Sequence, residues 1–238
     1  SGQILSMGDM TISVDHLSNQ GKTQNSDPDS QIVAAGQLNI TAQQLDNQNT
    51  LNDSLTTTAQ GIDAQSLNIE SNILNNQQGS IRSRGDQQLL IGQQLNNQQG
   101  QISSQQLLQV QGDQLQINNL EGQLLAVTQL NVQAKSLSGD GRLLSLGNAT
   151  LTLQDDYLHA SNAQLQANQN LTLNVAANLV NNGVINAGNQ LQLNANNISN
   201  LQNGKIESHE TQITAQDQLT NTGLINGDVT WLQANTVT

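Results

Sequence analysis

Apolar residues recur along this chain as pairs two positions apart. The pairs are Met10/Ile12, Leu38/Ile40, Leu67/Ile69, Leu89/Ile91, Leu108/Val110, Leu130/Val132, Leu151/Leu153, Leu171/Leu173, Leu191/Leu193, Thr211/Ile213 and Val229/Trp231. Successive side chains of a strand point to opposite faces, so this period-2 spacing predicts short strands with one buried face. From Leu67 onward the pairs return with a period of roughly 20 residues. The first two steps, from Met10 to Leu38 and from Leu38 to Leu67, are longer by roughly eight residues each. That excess predicts insertions near 22–31 and 50–64.

Each unit continues in the same way. Another apolar residue follows about five positions on, then Asn, then Gly, then a further aliphatic. The near-identical phrases "LNNQQGSIRS" (74–83) and "LNNQQGQISS" (95–104) are two copies of this stretch. Asn occupies one place in the unit at Asn19, Asn47, Asn76, Asn97, Asn119, Asn181, Asn200 and Asn221, and Gly139 and Ala160 break the series. A carboxamide both donates and accepts, so stacked Asn side chains can bond along a ladder where stacked carboxylates would repel. Gly21, Gly79, Gly100, Gly122, Gly141, Gly183, Gly204 and Gly223 follow, as corners needing a positive φ would require.

One such unit cannot bury its apolar face alone, but stacked copies can. The predicted fold is therefore all-β, a parallel β-helix (β-solenoid) of about 11 coils with repeats of about 20 residues. It forms a single β-helical array over 1–238, about 50 Å long at an interstrand spacing of about 4.8 Å. Leucine-rich repeats have a similar period but place Asn three, not two, after the last strand Leu. A disordered Gln/Asn tract would lack the regular aliphatic positions, and a helical bundle would need apolar positions at the helical period.

Composition sharpens this picture. Asn (33) and Gln (39) fill 72 of 238 positions, Leu fills 35, Phe and Cys are absent, and Tyr and Trp occur once each. A core almost without rings implies narrow aliphatic layers. The net charge of −12, with no basic stripe, argues against binding nucleic acid or anionic membrane. No stretch is apolar and long enough to span a bilayer, and the chain, opening at Ser1, reads as a fragment. Uncapped ends would expose strand edges, so end-to-end association of such a piece would not reflect biology, and a monomer is expected.

Candidate chemistry is sparse, and no catalytic, cofactor or metal site is expected. His16, His159 and His209 fall in different units and read as solvent-facing or turn residues. Asp155-Asp156 reads as a turn, because adjacent strand residues face opposite ways. Asp27-Pro28-Asp29 could help hold calcium, though an Asx turn accounts for it more simply. Arg82 and Arg84 share a strand face and read as an outward, solubilising pair that could also touch an anionic glycan. A carbohydrate-active β-helix would cluster Asp, Arg or Lys along one face, and an ice-binding one would repeat the Thr150/Thr152 pattern. Neither feature is seen.

The stretch "NLTLNVAANLVNNGVINAGNQLQLNANNISNLQNGKI" (170–206) resembles the repeats of filamentous-haemagglutinin-type exoproteins of two-partner secretion, including contact-dependent growth-inhibition effectors. The resemblance runs from about Met10 to Trp231. It implies a right-handed parallel β-helix, exported through an outer-membrane β-barrel transporter and displayed outside a Gram-negative cell. The function it implies is a rod or stalk that extends a binding or toxic tip, as in adhesins. The alternative is a receptor- or glycan-binding face on the β-helix itself, whose partner would be a receptor on a target or host cell. No secretion-signalling domain and no C-terminal toxin are recognisable in this stretch.

Overall fold

The computed structural model describes residues 2–21, 30–51 and 60–238. Among them every strand pairing is parallel. Parallel neighbours cannot be joined by a tight hairpin, so the chain travels round and returns one repeat later. A typical coil has three strands, Gln123–Ala126, Gln129–Ala134 and Ser136–Ser138. These lie on Gln101–Ser104, Leu107–Gln111 and Gln116–Asn118 of the coil before. The chain is thus an all-β parallel solenoid.

The register follows one inward column through the central strands: Met10, Leu38, Leu67, Gln87, Leu108, Leu130, Ala149, Leu171, Leu191, Thr211 and Thr230. From Leu67 to Thr230 the steps are even, each close to the expected repeat length. The two longer steps precede Leu67. Of the insertions expected near 22–31 and 50–64, residues 22–29 and 52–59 lie outside the described residues, and Asp27-Pro28-Asp29 with them, whereas Gln31 and Gly61–Ala64 belong to paired strands.

This column corrects three of the expected pairs. The expected pairs Leu89/Ile91 and Leu151/Leu153 are inward and buried but sit one slot further on; the residues in register with the neighbouring pairs are Gln87/Leu89 and Ala149/Leu151. At the last coil they are Thr230/Leu232, which turns Trp231 outward. Pattern matching favours two aliphatics in a row, whereas stacking keeps the whole strand in step and tolerates an amide, a methyl or a hydroxyl in one slot.

The interior is mainly aliphatic. Leu38, Leu67, Leu89, Leu108 and Leu193 are fully buried, and so are Leu45, Leu74 and Leu95 in the third strand of each coil. Each such side chain contributes about 1.5–3 kcal/mol by leaving water. Tyr157 stands in that third-strand column, paired with Leu179, and is the one Tyr, Phe or Trp ring in the described core.

The corner glycines are needed for a reason other than the expected one. Among the described residues the left-handed backbone belongs to Asn49, Gln78, Gln99 and Glu121, with φ of 51° to 56°, and to Gly61 and Gly139. Gly79, Gly100 and Gly122 follow three of these residues. Each closes a four-residue turn by donating its N–H to the carbonyl of Asn76, Asn97 or Asn119, at 2.9 to 3.2 Å. A β-carbon on Gly79 or Gly100 would strike the carbonyl oxygen of Asn47 or Asn76 in the preceding coil. These glycines let the coils approach closely; the turn's positive φ is carried by the residue before.

Candidate functional site

The polar structure of this molecule is concentrated at one corner. Asn19 donates from Nδ2 to Asn47 Oδ1 at 2.7 Å, Asn47 to Asn76 at 2.7 Å, Asn76 to Asn97 at 2.8 Å and Asn97 to Asn119 at 2.8 Å. A second run links Asn181 to Asn200 and Asn200 to Asn221, both at 2.8 Å. All but Asn221 are buried. Their second amide proton reaches a strand carbonyl of the next coil, for example Asn47 to Ser80 at 2.9 Å and Asn97 to Gln123 at 3.2 Å. Buried amides are costly unless bonded, and here the stack itself supplies the partners.

The doubled Asn of "LNNQQG" serves two ladders. The second Asn forms the buried one. The first, at Asn75, Asn96 and Asn118, forms a half-buried one that donates the other way, Asn96 to Asn75 at 3.2 Å and Asn118 to Asn96 at 3.1 Å. The same oxygens cap turn N–H groups at Gln77, Gln98 and Leu120. The second Gln adds an outer chain, Gln78 to Gln99 to Glu121.

The buried ladder is interrupted at Gly139 and, one coil later, at His159, since His159 and not Ala160 pairs with Asn181. His159 is fully buried, which corrects its expected place at the surface. Its Nε2 lies 2.9 Å from Val184 O, the carbonyl that an Asn here would reach. A carbonyl only accepts, so Nε2 carries the proton. Nδ1 is then the acceptor for the Tyr157 hydroxyl at 2.8 Å. Burial pushes the imidazole pKa down to about 4 and raises that of the phenol, so both stay neutral near pH 7. The repeat pattern places this break at Ala160, one residue late; strand pairing assigns it to His159.

The remaining polar candidates are dispersed. His16 contacts Asp46 at 2.7 Å and His209 contacts Asp228 at 2.6 Å, each pair spanning neighbouring coils. Arg82 and Arg84 both engage the buried carboxylate of Asp63, at 2.7 and 3.0 Å, so this pair is used within the fold. Asp155 and Asp156 are exposed, and Asp156 accepts from Asn178 in the next coil. Among the described residues no three His, Asp or Glu side chains gather as a metal site.

The outer face of the central strands is regular in another way. The column running from Thr11 through Asn39, Gln109 and Thr172 to Gln212 carries an amide or a hydroxyl at every position, and its last member is Trp231. The parallel column from Ser13 to Gln233 is interrupted by Glu70 and Leu90 alone. Four grooves of about 250 to 340 Å³ open on this face.

No family model matches the chain. No solved structure matches it either. One curated protein does, a tRNA nuclease CdiA of Yersinia mollaretii, 29% identical over an alignment of 226 residues that covers 93% of this chain. The chain spans 7% of the length of that relative, and the activity in its name is that protein's own. Period, parallel stacking and alignment point the same way as the resemblance of residues 170–206 to exoprotein repeats: the chain is a distant homologue of a segment of CdiA, with the fold of a parallel β-solenoid.

Proposed function

We propose that this chain is a rigid spacer: a single β-helical array within a large exoprotein, standing between a cell surface and a binding or toxic tip. The observation that carries the reading is the continuous column of parallel pairings through the central strands from Met10 to Thr230, in which each coil rests on the one before. Such a stack is stiff along its axis and its length scales with coil number. The buried amides spend their hydrogen bonds on neighbouring coils, which suits support and not catalysis. By analogy with the CdiA relative, export runs through an outer-membrane β-barrel partner of two-partner secretion to the outside of a Gram-negative cell.

The test is to remove whole coils. Deleting residues 149–190 joins Asn148 to Leu191, which occupies the same column position as Ala149. The shortened chain should fold, lose about 10 Å of length in small-angle scattering, and leave surface display and the parent's tip activity in place. Deleting 149–180 ends mid-coil and should abolish folding. A folded whole-coil deletion that eliminated tip activity would overturn the spacer reading.

A further inference from the structure

We propose that the outer face of the central strands binds an uncharged polysaccharide laid along the solenoid axis, with Trp231 as a stacking platform. This goes beyond the spacer role and does not depend on it, since a rod can carry a binding face.

The chemistry of the face selects the ligand. Amides and hydroxyls offer donors and acceptors side by side, matching the hydroxyl groups of a sugar, which also do both. The acids lining the four grooves are Glu70, Asp113 and Glu210, and no Lys or Arg lines any of them. An anionic glycan would find no cation to pair with and would meet these carboxylates within a chain of net charge −12. The spacing fits as well, since rungs repeat at about 4.8 Å and an extended pyranose chain advances by roughly one sugar ring per rung.

Trp231 is the second observation. It is the chain's single Trp, in a sequence without Phe whose one Tyr is buried. It stands outward and 55% exposed in a column otherwise made of amides and hydroxyls, directly beyond Gln212. The groove beside it, about 320 Å³, is lined by Asn170, Thr172, Gln190, Gln192 and Gln212. A flat apolar ring edged by convergent amides suits the C–H face of a sugar, whose hydroxyls then reach the amides. Leu90, 45% exposed in the groove with Asn39, Asn68 and Gln88, offers a smaller apolar patch on the same face.

Because Trp231 is unique, its own fluorescence reports the event. The 238-residue chain would be screened on an array of neutral glycans. It would then be titrated with cello-, manno- and chito-oligosaccharides, with a heparin fragment as the anionic control. A saturable change in Trp231 emission is expected with a neutral oligosaccharide, and none with heparin. By calorimetry Trp231→Ala should weaken binding about tenfold, Gln212→Ala should weaken it measurably, and Trp231→Phe should retain it, all with unchanged circular dichroism. No binding to any neutral glycan, equal binding of heparin, or full affinity in folded Trp231→Ala would overturn the proposal. A Trp231→Ala defect alongside normal reach and display would separate it from the spacer reading.

Discussion

At the scale of single residues, the Asn ladder shows how one side-chain type becomes a structural rule. Asn47, Asn76, Asn97, Asn181 and Asn200 each give one proton to the next Asn and another to a strand carbonyl, so a buried polar column is satisfied by its own repetition. His159 keeps the carbonyl bond of that rule and drops the bond to the next Asn, which Tyr157 offsets by donating to Nδ1. The substitution has a pH consequence. With a folded pKa of about 4 against an ordinary 6.5, the unfolded chain takes up a proton between these values that the folded chain refuses. Above about pH 6.5 both states are neutral and the group does not bias folding. As pH falls from there to about 4, stability drops, by roughly 3 kcal/mol in all. The double variant Tyr157→Leu/His159→Asn restores the usual Leu and Asn of neighbouring coils and should lose this component. Denaturant midpoints measured from pH 7.5 to 4.5 should therefore fall more steeply in the native chain. Parallel profiles for the two proteins would contradict the assignment.

At the scale of elements, strands are held in step by entire columns and not by their best local pair. The strand Gln87–Asn96 illustrates this. Its inward positions begin with Gln87, fully buried between Leu67 and Leu108, and both polar atoms of that side chain lack a hydrogen-bond partner. Burying an unbonded amide costs about 1–3 kcal/mol, yet Leu89 and Ile91 are already buried in this register, and shifting the strand by two so that Leu89 stacked between Leu67 and Leu108 would unseat Leu95, Asn96 and the corner beyond. Gln87→Leu should then raise stability by about 1–3 kcal/mol, read as a higher denaturant midpoint at unchanged slope. A lower midpoint would mean that the amide has a role in the fold. Reading the sequence located this strand but slid its start by two positions, because an amide scores as polar whatever its neighbours are. Ala149 and Thr230 misled for the same reason: a small or hydroxylated residue in an inward slot is visible only when the coils on either side are in place.

At the scale of the whole molecule, each coil covers the apolar face of the one before, and stability accrues coil by coil. Such a stack can begin to form at one end while the rest of the chain is still extended. In the exported exoprotein we propose, folding outside the cell would then oppose backward sliding through the transporter. Replacing Leu171, buried between Ala149 and Leu191, and Leu173, buried between Leu151 and Leu193, by Asp would put two charges into that interior. The Leu171→Asp/Leu173→Asp variant should stall surface display, measured by protease accessibility on intact cells. Undiminished display would separate export from folding of this segment.

The sequence by itself determined the class of fold. Alternation of period 2, a short regular repeat and an amide recurring at one phase are local and periodic facts, and a parallel solenoid is the arrangement in which all three are satisfied. It also determined where the corner lies, down to the residues at which Asn recurs. The tertiary structure decided register, the purpose of the corner glycines, the pairing of Tyr157 with His159, and the alignment of amides and Trp231 on one outer face. Register, the glycine contacts and the outer face depend on atoms a full repeat apart along the chain that meet about 4.8 Å apart across a rung, and which residue meets which is set only when every column is stacked together. Tyr157 and His159 are two apart on one strand, and there the stack supplies the burial that leaves each ring to bond the other.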